Sequence, residues 1–307
     1  MFTLIKPDTR IDFVGNRHVA YAISGVVVLV SLLAIAIWGP RLGIDFSGGS
    51  LLHVRFQRPV AIGEVRGALR ELGSDVSVQD FGATEGEFLL RIPEAGSGFG
   101  EVGARIKAAL DQAFGAATYE VLRTETVGPR VGKDLRQKGI LAILFATLMM
   151  GAYIALRFEL RFGIGAAIAL SHDVLAAVGA LILFNYEFDL TVVAALLTVV
   201  GFSVNDTVIV SDRIRENMRK LRRQPLDAII NVSVNETLSR TILTTGTTLL
   251  VTITLYLLGG SVIHAFAFTL LVGFIAGVYS SIFVASQIVL AFERRRAAPG
   301  RAQRAAS

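Results

Sequence analysis

Six long apolar runs dominate the chain, and one polar stretch separates the first run from the other five. The first run reads HVAYAISGVVVLVSLLAIAIW; the others cover Ile140 to Leu156, Phe162 to Phe184, Leu190 to Val210, Thr241 to Leu258 and Ala265 to Phe292. Each is close to the roughly 20 residues that a helix needs to cross about 30 Å of hydrocarbon. The pattern therefore predicts transmembrane helices over 19–38, 139–157, 162–184, 190–211, 240–258 and 265–292. It leaves an N-terminal segment 1–18, a basic loop 212–239 and a tail 293–307. No small-residue cleavage pattern follows the first run, so it reads as a retained anchor.

Between residues 39 and 138 the periodicity changes. SLLHVRFQ, SDVSVQDF, EFLLRI and ATYEVLRTETV read as strands, whereas AIGEVRGALREL and FGEVGARIKAALDQAF carry apolar residues at helical spacing. The order is βαββαβ. Two interlocking crossovers of that kind close most simply into a ferredoxin-like sheet with both helices on one face. EAGSGFG reads as a surface loop between two of these elements.

Composition supports the membrane reading: 53% of residues are hydrophobic and the mean hydropathy is +0.59. The absence of cysteine excludes disulfides and thiol chemistry. A net charge of +5 is a feature of nucleic-acid binders, but here the basic residues flank apolar runs without interleaved aromatics, so no nucleic-acid partner is expected. Their placement instead sets topology. Lys6, Arg10, Arg17, Arg157, Arg161, the group from Arg213 to Arg223 and Arg294 to Arg296 all fall on one side, while the joints NYEFD and GGSVIH carry no Lys or Arg. Positive residues resist translocation, so both termini are expected in the cytoplasm and residues 39–138 outside, facing a periplasm.

Several polar groups lie inside or beside the hydrocarbon. Asp206, next to Asn205, sits about a turn and a half inside the basic end of the fourth run; Arg240 opens the fifth at the same side; His172 and Asp173 fall mid-way in the third. An ionised Asp at the bilayer centre costs about 2.5–3.5 kcal/mol on insertion scales, so such a group normally faces a bundle interior and serves a function. The expectation is a proton pathway in which Asp206 carries a proton and Arg240 approaches and withdraws. Asp173 is a second proton station, with His172, Asn205 and Thr244 in weaker supporting roles. Adjacent helical positions point about 100° apart, so His172 and Asp173 are not expected to bond to each other.

GIDFSGGS follows the first run, and Gly43, Asp45, Gly48 and Gly49 read as a tight structural turn feeding the first strand. It lacks the GK[ST] ending of a phosphate loop. Nor is there an HExxH metal pattern or the GxGD of intramembrane aspartyl proteases. No enzyme activity, cofactor or metal is expected, with protons as the coupling ion.

GIDFSGGS, VGPRVGKDL, RFELRFGIGAAIALSHDV, GFSVNDTVIVSDRIRENMRK and NETLSRTILTTGTTLLV together resemble the SecD/SecF family of bacterial protein-export membrane proteins, in its SecF branch, from about residue 12 to 293. The resemblance implies a polytopic α-helical protein of the resistance-nodulation-division (RND) superfamily, six helices forming half of a pseudo-symmetric bundle, with a small ferredoxin-like α+β periplasmic domain. It implies a SecD partner beside the SecYEG channel, the SecA motor and YajC-like and YidC-like accessory proteins. The implied activity is proton-motive-force-driven promotion of preprotein translocation in the inner membrane. In that family the counterparts of Asp206 and Arg240 are implicated in proton transport. The other reading of the same layout is a proton-coupled RND exporter of small molecules or lipids.

Overall fold

A computed structural model describes residues 11–70, 76–80, 86–92 and 101–294. The first ten residues, with Lys6 and Arg10, the stretch EAGSGFG and the tail beyond Arg294 lie outside the described residues. Among the described residues six helices are long and apolar enough to span a membrane: α1 (Arg17–Ile37), α5 (Pro129–Arg157), α6 (Leu160–Leu183), α7 (Leu190–Lys220), α8 (Leu226–Leu258) and α9, which runs from His264 to Arg294. Helix α9 contains a π turn at Ser281–Ala285.

The basic loop expected over 212–239 does not exist. Helix α7 runs on to Lys220 and α8 begins at Leu226, which leaves five residues, 221–225, as the joint. The sequence keeps its helical logic there: Ile214 and Asn217 are buried on one face, and Glu216 pairs with Arg213 at i−3 and Lys220 at i+4 on the other. Pro225 cannot continue α7 and precedes the first turn of α8. Helix α5 likewise starts ten residues before its expected span, with Pro129 in its first turn.

Helices α6, α7 and α9 form the interior, and α1, α5 and α8 keep long apolar faces exposed, as a bundle in lipid does. The interior helices approach closely through small residues. A Cβ at Gly277 of α9 would stand 3.1 Å from Ser203 of α7.

The polar stretch folds into a four-stranded antiparallel sheet in the order β3-β4-β2-β5, from β2 (Gly49–Phe56), β3 (Ser77–Asp80), β4 (Glu87–Ile92) and β5 (Tyr119–Val127). Helices α3 (Ile62–Leu69) and α4 (Glu101–Phe114) pack on one face, giving the ferredoxin-like arrangement. Alternation along β2 explains the core: Leu52, Val54 and Phe56 point to the helices, while His53 and Arg55 point away and bind the buried Glu87. Burial and a 2.7 Å hydrogen bond to Asp111 push the Tyr119 hydroxyl above its ordinary pKa.

The domain rests on the joint between α6 and α7. Two short strands, β1 (Arg41–Leu42) and β6 (Glu187–Phe188), pair in parallel there. Arg91 of β4 forms an ion pair with Glu187, and Gln79 of β3 donates to the same carboxylate at 3.1 Å.

Candidate functional site

Asp173 is fully enclosed between α6, α7 and α9. One oxygen, Oδ2, accepts from Ser203 Oγ at 2.6 Å and from Ser280 Oγ at 2.8 Å; Oδ1 lies 3.2 Å from His172 Nδ1. The neighbouring side chains thus do meet, contrary to the expectation from their angular separation. The imidazole is stacked 5.8 Å from the Tyr279 ring, with its Nδ1 beside the carboxylate. Tyr279 in turn donates to the Ala20 carbonyl at 2.6 Å and shares a 2.9 Å bond with Ser24, which ties α1 into the same level. Sequence reasoning missed Ser203, Ser280 and Tyr279. The one available signal was Ser203, a helical turn before Asp206 in GFSVND.

Asp206 faces a different neighbour. It is 2% exposed, accepts from Thr245 of α8 at 3.4 Å through Oδ2, and has no partner for Oδ1 among the described residues. The hydroxyls of Thr241 and Thr207, also buried, are unpaired as well. Thr245, not Thr244, is the threonine on the carboxylate; the Thr244 carbonyl only accepts from Thr247 and Thr248 on its own helix. Asn205 points outward and is exposed. Because α7 continues to Lys220, Asp206 lies about 21 Å from the end of its helix. Asp173 binds Ser203, Ser280 and His172 whereas Asp206 binds Thr245, and no hydrogen bond joins the two carboxyl groups among the described residues.

Arg240 makes neither hydrogen bond nor ion pair among the described residues. It lines a cavity of about 590 Å³ between α5, α7 and α8, together with Tyr153, Asp212, Glu236 and Thr237. A static clamp of Arg240 on Asp206 is therefore absent from this conformation. The arrangement sets a buried carboxylate with one oxygen open near an unpaired cation on the wall of a cavity. Among the described residues no cluster of three His, Cys, Asp or Glu could hold a metal.

GIDFSGGS builds more than a turn. Ile44–Ser47 form the short helix α2, and Asp45 Oδ2 accepts from the Leu190 amide at 2.9 Å, satisfying one of the free donors at the start of α7. Gly43 donates to the Phe188 carbonyl at 2.8 Å. Gly48 and Gly49 adopt φ of +77° and +124°, and Gly48 lies against the first residue of α5. The motif is the corner where α1, the domain, α5 and α7 meet.

Known proteins share this layout. The family description "Protein export membrane protein SecD/SecF, C-terminal" matches residues 106–295, and the "SecD/SecF GG Motif" matches residues 34–60. A protein translocase subunit SecF of Desulfurispirillum indicum is 46% identical over 94% of this chain and 94% of its own length. The chain belongs to the SecD/SecF family. Within that family, the SecF of Escherichia coli O157:H7 is 40% identical over 93% of this chain and 88% of its own length. The crystal structure of SecDF, a translocon-associated membrane protein from Thermus thermophilus, superposes with a TM-score of 0.84 and 35% identity. That likeness covers 95% of this chain but 40% of the SecDF chain. A second SecDF structure, in a super-membrane-facing form, gives a TM-score of 0.73 at 35% identity, over 99% of this chain and 41% of that one. The family's GG motif thus coincides with the Gly48–Gly49 corner.

Proposed function

We propose that this chain is a SecF-type accessory subunit of the Sec protein-export machinery, paired with a SecD-type half and coupled to the proton motive force. The observation that carries the subunit assignment is the likeness to SecF along nearly the whole of both chains. The chain accounts for 40% of the Thermus SecDF chain, and a SecD-type half is the counterpart that supplies the remainder there. The SecYEG channel, the SecA motor and YajC-like and YidC-like proteins are the neighbours this role calls for, and the passenger is a preprotein. Full-length likeness to SecF disfavours a small-molecule or lipid exporter.

Orientation follows from the charges of the short joints: Arg157 and Arg161, the group from Arg213 to Arg223 and Arg294 lie in the cytoplasm, and the ferredoxin-like domain lies outside. Proton coupling rests on Asp206, which is buried with one oxygen open, and on Arg240 standing unpaired in the cavity nearby. The cation favours the ionised carboxylate when it approaches, and withdrawal lets the carboxyl take a proton. No hydrolytic chemistry enters this scheme.

The test is preprotein uptake into inverted vesicles containing the SecD-type partner, with and without a proton gradient. Asp206→Asn and Arg240→Met are expected to assemble and to lose the gradient-stimulated component. Full stimulation in both variants would reject the coupling scheme.

A further inference from the structure

The cavity that holds Arg240 also holds an unpaired carboxylate. Its charged walls are Arg157, Arg213, Arg240, Asp212, Glu216 and Glu236. Four of the six are already engaged. Arg213 donates to Glu216 and to Glu236, each at 2.6 Å; Asn217 also donates to Glu236, at 2.7 Å, and Lys220 holds Glu216. Arg157 lies 5.4 Å from the centre of the Phe158 ring. Asp212 and Arg240 remain, opposite in charge and without hydrogen bond or ion pair among the described residues.

Helices α7 and α8 are fixed against each other on both sides of Arg240. Towards the joint, Asn217 binds Ser233 at 3.1 Å and Arg213 binds Glu236; towards the bundle, Thr245 binds Asp206. The pairs 217/233, 213/236 and 206/245 share one antiparallel register, which sets Arg240 level with Val210 of α7. Asp206 stands four residues to one side of that level and Asp212 two residues to the other, about 6 Å and about 3 Å of helical rise. A long, flexible arginine can change partner across those heights while both helices stay in place.

We propose that Asp212 is the second docking position of Arg240. The guanidinium alternates between Asp212, in the cavity, and Asp206, deeper in the bundle, and Asp212 is the positioning residue that holds the cation away while Asp206 carries its proton. The proposal rests on the proton-coupled reading above. The joint-side clamp of Asn217, Ser233, Arg213 and Glu236 keeps the two carboxylates at fixed distances from the pivot, so the switch is one of side-chain rotation.

Two measurements on the partner-containing complex in inverted vesicles test it. Asp212→Asn is expected to lower the gradient-stimulated component of preprotein uptake about threefold, within the scale of one exposed ion pair, and Asp212→Glu to recover most of it. In the Arg240→Lys chain, zero-length carbodiimide coupling followed by peptide mass spectrometry is expected to join the introduced amine to Asp212. Full stimulation in Asp212→Asn, equal loss in Asp212→Glu, or coupling to Glu236 in place of Asp212 overturns the proposal. Undiminished stimulation in Asp206→Asn would overturn the proton reading and this switch with it, and that variant is measured separately from the coupling product.

Discussion

Gly48→Ala tests whether the corner between domain and bundle is as tight as its geometry implies. Gly48 has φ +77° and ψ 168°, a region that side chains other than glycine's essentially avoid, at a cost of about 1–3 kcal/mol. An added Cβ would stand 2.8 Å from Pro129 Cα and 3.0 Å from Pro129 N. Both atoms are backbone at the start of α5, where a Cβ on Gly132 would itself stand 3.0 Å from Gly48 N and 3.2 Å from the Phe46 carbonyl, so no flexible side-chain tip can yield. Forcing the extra atom in adds about 1–3 kcal/mol, which makes the total about 2–6 kcal/mol. Trp38, the single tryptophan, caps the end of α1, three residues before β1. Urea titration of the detergent-solubilised chain, followed by Trp38 fluorescence, should show the midpoint of Gly48→Ala well below wild type. Gly67→Ala is the matched control: Gly67 is in the last turn of α3 with nothing within 4 Å of its Cβ position, so that change should be neutral or stabilise by up to about 0.5–1 kcal/mol. Wild-type behaviour of Gly48→Ala, or losses of the same size at both glycines, would refute the argument from backbone strain.

Asp173→Ala removes the acceptor for three hydrogen bonds, and at about 0.6 kcal/mol each in a membrane bundle it should cost about 2 kcal/mol in detergent unfolding. Asp173→Asn keeps one acceptor oxygen and should cost less; the reverse order would contradict the enclosure described above. Asn235→Ala removes a reciprocal pair of bonds to the Ile11 backbone, at 2.9 and 2.8 Å, and should speed hydrogen exchange at the Ile11 amide about fivefold, the scale of one net hydrogen bond. The same N-terminal segment has a pH signature. The Gly15 amide and then Asn231 hold the Asp12 carboxyl below its ordinary 3.8, so its contribution is complete above that value and fades as pH falls through the lower folded value. Exchange at Gly15, corrected for intrinsic rate, should stay flat from about pH 7 to about pH 5 and rise only in stronger acid.

Much of the fold was legible because hydrophobic periodicity is a local property. Six apolar runs of spanning length and a polar stretch alternating at strand and helix periods place the six helices and the βαββαβ order without any knowledge of contacts. Helix ends were less legible. The stretch from Asp212 to Lys220 is too polar for hydrocarbon and reads as a loop, yet Ile214 and Asn217 pack on α8 and keep it helical beyond the apolar region. Hydropathy reports where a helix leaves lipid, and tertiary packing determines where it stops.

The candidate site divides the same way. The sequence by itself singled out Asp173, Asp206 and Arg240, because an isolated charge in hydrocarbon is costly and is expected to face a bundle interior or a wet cavity. Only the tertiary structure decided which partners they find. Ser203, Ser280 and Tyr279 come from helices remote in sequence; the two serine hydroxyls reach Asp173, and the Tyr279 ring stacks on its histidine, only through the packing of α6, α7 and α9. Thr245 was chosen over Thr244 by the register between α7 and α8. That same register leaves Arg240 between Asp206 and Asp212. Charge and burial cost are written residue by residue, whereas the pairing of charges depends on distances that exist only once the helices have packed.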